Sequence, residues 1–300
     1  MSIYICSDCN RACNAKRIEK SGSGFCKSGL NPIVALAKPH FGEEPCISGT
    51  NGSGTVFFSG CSLKCVFCQN YVISHLNKGK ELTVEQLALV IKNMEKRGVH
   101  NINFVNPTHY TYSIGKALDI YRPNIPIVYN TNSYEQIETI RRVSSWTNVF
   151  LADLKLISQS RCKRYLGAEN YFCSADNAID EMLKQKPSNT FRDGIMMQGV
   201  IIRILVLPCN IDEAFKICDH IKRRWGNKVI VSLMSQYYPA GIVSEKNYSE
   251  INRCITKREY ERVCQYFISN GFENGFYQQI NCANGDMTPD FNLEGVEGFE

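Results

Sequence analysis

The sequence predicts an α/β fold, a partial (β/α)6 barrel with a small cysteine-rich, metal-binding extension at its amino-terminal end. Three observations predict it. From Thr55 onward, short apolar runs alternate with stretches of helical periodicity, the pattern of parallel strands joined by right-handed crossovers. The strand runs fall at residues 56–59, 102–105, 127–130, 149–154, 200–207 and 229–234, fewer than a closed eight-fold barrel needs. Ahead of them lie Cys6, Cys9, Cys13 and Cys26, in a stretch with too little apolar surface to fold unless a metal organises it. An open doubly wound sheet is the alternative arrangement of the same elements.

In chain order, residues 1–54 read as the cysteine-rich lead and a linker, closing on the turn-rich Gly49-Thr-Asn-Gly-Ser-Gly54. Residues 55–280 read as the core. Between the strand runs, helices are expected at 83–97, 113–121, 133–143, 175–185 and 212–225, with a last one at 256–270. Thr83 and Ser133 serve as capping residues. Residues 281–300 form an acidic tail, with Asp286, Asp290, Glu294, Glu297 and Glu300 and no basic residue. A solvated or weakly docked segment is expected there.

Composition narrows the function. Hydrophobic residues make up 44% and charged residues 21% of the 300, as in ordinary globular enzymes. The net charge of +5 is too small to imply nucleic acid, which is not expected as a partner. The longest apolar run, near Val200–Pro208, carries Arg203 and is too short to span a membrane. No signal peptide is expected from the first ten residues. Fifteen cysteines, an odd number, argue against a disulfide framework and for a reducing, anaerobic cytoplasm.

The most specific motif is Cys61-Ser-Leu-Lys-Cys65-Val-Phe-Cys68. Clustered thiolates select iron–sulfur clusters or zinc. A four-iron cube takes four cysteines, so three in this spacing leave one iron open to a small molecule. A buried cysteine cluster or half of a zinc site is the plainer alternative. The loop follows the first strand at its carboxyl end, where α/β folds bind ligands. Asp153 and Lys155 end the fourth strand and face one side together, because strand side chains alternate. In an apolar run they should be paired or face a cavity. Arg203 lies mid-strand between isoleucines, and its fork suits a carboxylate or a pairing with Asp153.

The cysteine motif, with Phe67 before its last cysteine, resembles the signature of the radical S-adenosylmethionine (SAM) superfamily. Several runs resemble more narrowly a subfamily homologous to the pyruvate formate-lyase activating enzymes. They are His40-Phe-Gly-Glu-Glu-Pro-Cys-Ile-Ser-Gly49, Gly52-Ser-Gly-Thr-Val-Phe-Phe-Ser-Gly-Cys61, Asn101-Ile-Asn-Phe-Val-Asn-Pro-Thr-His-Tyr110, Val128-Tyr-Asn-Thr-Asn-Ser-Tyr134, Asp153-Leu-Lys155, Arg203–Pro208 and Gln236-Tyr-Tyr-Pro239. The resemblance spans roughly residues 6–280. It implies a [4Fe-4S] cluster on Cys61, Cys65 and Cys68, with SAM chelating the open iron and reductively cleaved to a 5′-deoxyadenosyl radical that abstracts hydrogen from a substrate. It further implies that Phe67 packs near the adenine or the cluster, and that Asp153 and Lys155 lie near the cofactor. Superfamily members usually carry Gly-Gly-Glu after the second strand to hold the cofactor's amine. Here Asn106-Pro-Thr-His109 stands instead, so Asn106, Thr108 or a backbone carbonyl takes that bond, with His109 a further candidate or a core residue. Asn130 and Asn132 fall where ribose hydroxyls would lie, or form turns.

The expected activity is therefore a radical SAM oxidoreductase resembling the activating enzymes, with a protein glycine as its target. A small metabolite or a peptide is the alternative target, and a non-enzymatic zinc or iron–sulfur regulator is the second alternative. The expected electron donor is a flavodoxin or ferredoxin. The four amino-terminal cysteines are expected to hold zinc or an auxiliary [4Fe-4S] cluster. Arg11, Lys16, Arg17, Lys20 and Lys27 around them read as a solvated face. Gln236 and Tyr237 are weaker site candidates. Cys46 is a possible extra ligand or hydrogen-atom relay, and Cys162, Cys173, Cys209, Cys218, Cys254, Cys264 and Cys282 read as core or surface residues.

Overall fold

A computed structural model describes residues 3–20, 22–243, 246–280 and 288–298. Cys282, Asp286 and Glu300 lie outside the described residues. No helix among those described is long and apolar enough to cross a membrane.

The strands are β1 Tyr4–Cys6, β2 Ala15–Arg17, β3 Ile33–His40, β4 Ser53–Phe58, β5 Lys80–Glu81, β6 Ile102–Val105, β7 Ile127–Thr131, β8 Val149–Asp153, β9 Thr190–Arg192, β10 Ile195–Leu205, β11 Ile230–Met234 and β12 Gly275–Tyr277. The helices are α1 Pro45–Ser48, α2 Tyr71–Ser74, α3 Val84–Lys96, α4 Thr111–Ile120, α5 Ile137–Val143, α6 Gln159–Arg161, α7 Tyr171–Gln185, α8 Ile211–Arg224 and α9 Lys257–Ser269. The main sheet runs β12-β11-β10-β8-β7-β6-β4-β3-β5. Along this order every pairing from β4 to β12 is parallel, β3 and β5 are antiparallel at the opposite edge, and β9 adds antiparallel to β10 off this path. The six expected strands are all present in this parallel run. It does not close into a barrel among the described residues.

Two apolar layers explain why these segments become strands. Side chains such as Tyr129, Phe150, Ile202 and Ile204 pack into the large outer core with the helices. Alternate residues Val128, Val149, Leu151, Ile201 and Ile230 face inward, where α1 inserts Cys46 and Ile47 among them. A strand buried on both faces reads as a continuous apolar run, as in β4, all six residues of which are buried. Capping boxes start α3 at Thr83 with Gln86 and α9 at Thr256 with Glu259.

Three expectations need correction. Residues 31–54 are not a linker, because β3 adds to the core sheet and α1 plugs its inner face. The helix expected from Ser133 begins only at Ile137: Ser133 adopts φ +62°, and Asn132 Oδ1 accepts from the Tyr134 amide, forming a turn instead. The part of the tail at 288–298 is docked along β3. The Leu293 amide donates to Ala35 O at 3.1 Å, the Ala37 amide to Glu294 O at 2.9 Å, and Val296 is fully buried. Sequence charge suggested a solvated or weakly docked segment, yet Lys38 meets Glu294 at 3.4 Å and Phe291 packs edge-on against Phe57.

Candidate functional site

A cavity of about 570 Å³ opens on the inner face at the carboxyl ends of the parallel strands, within the range of small-molecule sites. Gly60, at φ +88°, turns the chain out of β4 into the loop that carries the three cysteines. Its missing Cβ matters: one placed there would stand 2.7 Å from Ser28 Oγ and 3.0 Å from Cys26 O. Cys61, Cys65 and Cys68 all line the cavity. Burial raises the pKa of each thiol, that of Cys61 to about 11. A soft metal would displace those protons, since the thiolate is the ligand.

Among the described residues no three Cys, His, Asp or Glu side chains converge on a point that would hold a single ion. A cube ligated at separate corners does not require such a point. The three thiols line one cavity with room for a cluster bound at separate corners.

The same cavity holds a buried polar network, whose Lys155 lies near enough to the three thiols to act on their charge. Arg203 on β10 donates from Nε to Asp153 Oδ1 at 2.9 Å, from Nη1 to Glu43 Oε2 at 2.9 Å and from Nη2 to Asn130 Oδ1 at 2.5 Å. Lys155 Nζ donates to Asp153 Oδ2 at 2.6 Å. Strand register builds this arrangement, because Arg203 pairs directly with Asp153 on β8. Burial works against ionisation of Asp153, but Lys155 and Arg203 outweigh it and hold the carboxyl below its usual range. Asn103 and Asn130 amides donate to Glu43 Oε1 at 3.0 and 3.2 Å.

The expected cofactor residues divide into two groups. Asn106, Asn130, Asn132, Asp153, Lys155 and Arg203 line the cavity. Asn132 Nδ2 lies 3.5 Å from Cys61 Sγ and 3.2 Å from Asn106 Oδ1, joining the turn to the cysteine loop. Phe67, Thr108 and His109 do not line the cavity. Phe67 packs edge-on against Tyr165 and Tyr237 beneath the loop. Asn106, at φ +56°, reverses the chain after β6 and sends Thr108 and His109 behind the site. There Thr108 Oγ1 donates to Glu135 at 3.0 Å, and His109 Nε2 bonds Ser59 O at 2.7 Å. Burial, then Arg17, lowers the His109 pKa to about 3. Cys46 also lies away from the cavity lining, in the inner apolar core. Of the weaker candidates, Gln236 lines the cavity and Tyr237 is buried beside Phe67.

Sequence reasoning missed Glu43 and Glu44, which enter the cavity from the segment before α1. The only signal was a pair of acids just ahead of a Pro-Cys-Ile run that itself becomes buried.

The amino-terminal lead docks beside the cysteine loop. Arg11 donates from Nε to Ser62 O and from Nη1 to Gly167 O, both at 2.8 Å, and its guanidinium lies 4.0 Å over Phe25. Arg17 is buried, bonding His109 O and, through Nη2, Cys26 Sγ at 3.2 Å. These two arginines therefore tie the lead to the core, where a solvated face was expected. A Cβ on Gly24 would stand 2.9 Å from Ala15 Cβ, 3.3 Å from Cys13 Sγ and 3.9 Å from Cys26 Sγ, so those two thiols close in on the same glycine.

Residues 55–196 match the model of the radical SAM superfamily. Over 271 residues the chain is 31% identical to an uncharacterised protein of Methanocaldococcus jannaschii, covering 87% of this chain and 73% of that one. The chain belongs to the radical SAM superfamily. Members of the superfamily are enzymes, and membership implies SAM and a [4Fe-4S] cluster as its cofactors. Among solved structures, the radical SAM chain is similar to HydG, a maturase of the [FeFe]-hydrogenase. The TM-score is 0.51 and the identity 12%, over 75% of this chain and 50% of that one. SuiB of Streptococcus suis, solved bound to SAM, is 13% identical with a TM-score of 0.49, over 73% of this chain and 48% of that one. The chain thus spans about half the length of either. At such identity the likeness to HydG describes the fold.

Proposed function

We propose that Cys61, Cys65 and Cys68 hold the cluster, and that this radical SAM enzyme abstracts hydrogen from a small molecule or a short peptide segment within the cavity. The observation that supports it is one lumen lined both by the three cysteines and by the Glu43–Arg203–Asp153–Lys155 network. When bound, the cluster and SAM supply a 5′-deoxyadenosyl radical. This chain's own residues do the placing. Lys155 and Arg203 present positive charge suited to the cofactor's carboxylate, and Asp153 fixes both donors. Asn130 and Asn132 offer amides for hydroxyl groups. Tyr277, Gln278, Thr288 and Pro289 line the same cavity and would exclude water from a reactive radical. The electron would come from a flavodoxin or ferredoxin.

A protein glycine, as in the activating enzymes, is the second reading, and it rests on the motif resemblance. It needs a groove that admits a peptide loop, and a cavity lined by residues 277–278 and 288–289 favours the smaller substrate. The amino-terminal cysteines form part of the proposal as a second metal site, zinc or an auxiliary cluster. Its support is the approach of Cys13 and Cys26 to the same glycine and the buried Arg17 that would offset thiolate charge.

Anaerobic reconstitution, dithionite reduction and quantitation of 5′-deoxyadenosine test the proposal. Product from the natural chain and none from Cys65→Ala is the expected result; equal product from both would sink it. Iron and zinc counted in Cys9→Ser should show the loss of one metal site with the first cluster retained.

A further inference from the structure

The cavity of the proposed radical enzyme carries a mismatch of charge that names its substrate class, and this inference rests on that reading of the cavity. Three carboxyl groups, Glu43, Glu44 and Asp153, line it together with the cations Lys155 and Arg203. His40 also lines it, but burial and the charges of Lys38 and Arg203 lower its pKa, so it adds no cation. Both cations are already engaged. Lys155 pairs with Asp153, and Arg203 bridges Asp153 and Glu43. Glu44 is left over.

The Glu44 side chain is not an incidental surface acid. The residue is 7% exposed, and its Oε2 is buried with no hydrogen-bond partner. It precedes α1 directly yet does not cap that helix with its side chain. Instead its carboxyl meets the Ser232 hydroxyl on β11, which leaves Oε2 without a donor. A buried carboxyl oxygen without a donor is costly, and a cation entering the cavity would satisfy both the charge and the vacant acceptor.

We propose that the cavity binds a substrate carrying a protonated amine or guanidinium, which Glu44 receives beside Ser232 in the lumen that the cysteines also line. The rest of that substrate then lies between Glu44 and the cofactor, so hydrogen abstraction falls on carbon atoms a short chain away from the cationic group.

Calorimetric titration of the full reconstituted chain with 1,5-diaminopentane and agmatine tests this, with 1,5-pentanediol as the neutral comparator. Both cations should bind and raise the melting temperature, and the diol should not. Glu44→Gln should weaken diamine affinity tenfold or more. Glu44→Asp, which keeps the charge but retracts it by one methylene, serves if the first variant melts as unfolded, and should weaken it less. Equal binding of diol and diamine, unchanged diamine affinity in the variants, or no cation binding to the natural chain would each overturn the proposal. So would loss of SAM affinity with diamine affinity intact in Glu44→Gln, which would assign Glu44 to the cofactor. The 5′-deoxyadenosine assay separates the two failures. Diamine binding without that product removes the radical reading and leaves the cation site, and product without diamine binding removes the cation site alone.

Discussion

Asp153 is shared by two cations, and its removal has unequal consequences for them. Asp153→Asn leaves Arg203 with Glu43 and Asn130 but strips Lys155 of its ion-pair partner. Breaking a buried pair from one side costs about 3–5 kcal/mol. We expect a clear fall in melting temperature, measured by calorimetry, and weaker SAM binding. An unchanged melting temperature would mean that Lys155 reaches solvent in the variant. The pairing of Arg203 with Asp153 was legible in the sequence because both interrupt apolar strands. The roles of Thr108 and His109 were not, because the reversal at Asn106 depends on one left-handed residue that no periodicity reveals. Gly60→Ala is the complementary test. Its Cβ would collide with Ser28 and Cys26 backbone and also approach His109 Nε2 at 3.1 Å. That variant should lose iron from the reconstituted protein, read by iron analysis, because the cysteine loop and the lead can no longer approach each other.

At the scale of elements, α9 shows how a helix end fixes a neighbour. The Glu259 carboxylate accepts from Arg253 at 2.8 Å, from the Thr256 amide at 3.0 Å and from the Cys209 amide at 3.0 Å. Arg253 first, and then these amides, hold its pKa far below the ordinary glutamate value. A folded pKa below the unfolded one gives stability that is complete above about pH 4.3 and is lost as pH falls through the folded value. Glu259→Gln should therefore cost about 1 kcal/mol at neutral pH, with the gap to the natural chain narrowing in acid, followed by denaturant titration. A gap independent of pH would remove the ionic part of the cap. The long helices and the six parallel strands were readable because each buries a periodic or continuous apolar set. Strand β3 was not: it ends in Lys38-Pro39-His40, residues that suit an edge, and it runs directly into the glycine-containing segment before α1. Strand β12 was missed because it is three residues long and mostly exposed.

For the whole molecule, one lumen is assembled from segments far apart in the chain: residues 40–45 before β4, the cysteine loop after it, the strand ends, and residues 277–278 and 288–289. Sequence reading found the strand ends and the cysteines, since each carries its own local pattern. It could not find Glu43, Glu44 or the docked tail, because their meaning depends on what a distant segment places beside them. Replacing Val296 by Asp, at a site with no exposure, should release the segment from β3, lower the melting temperature by several degrees and speed proteolysis near residue 290. Resistance to protease equal to that of the natural chain would count against its docking. The same contact constrains how the protein is made. Strand β3 leaves the ribosome early, yet the Ala35 carbonyl and the Ala37 amide on its outer side meet Leu293 and Glu294. At translation rates of about 5–20 residues per second, that apolar edge waits on the order of 10–50 seconds for its cover. Nascent chains should therefore depend on chaperones until the last residues emerge, and slow synthesis should favour mispaired sheets over native ones.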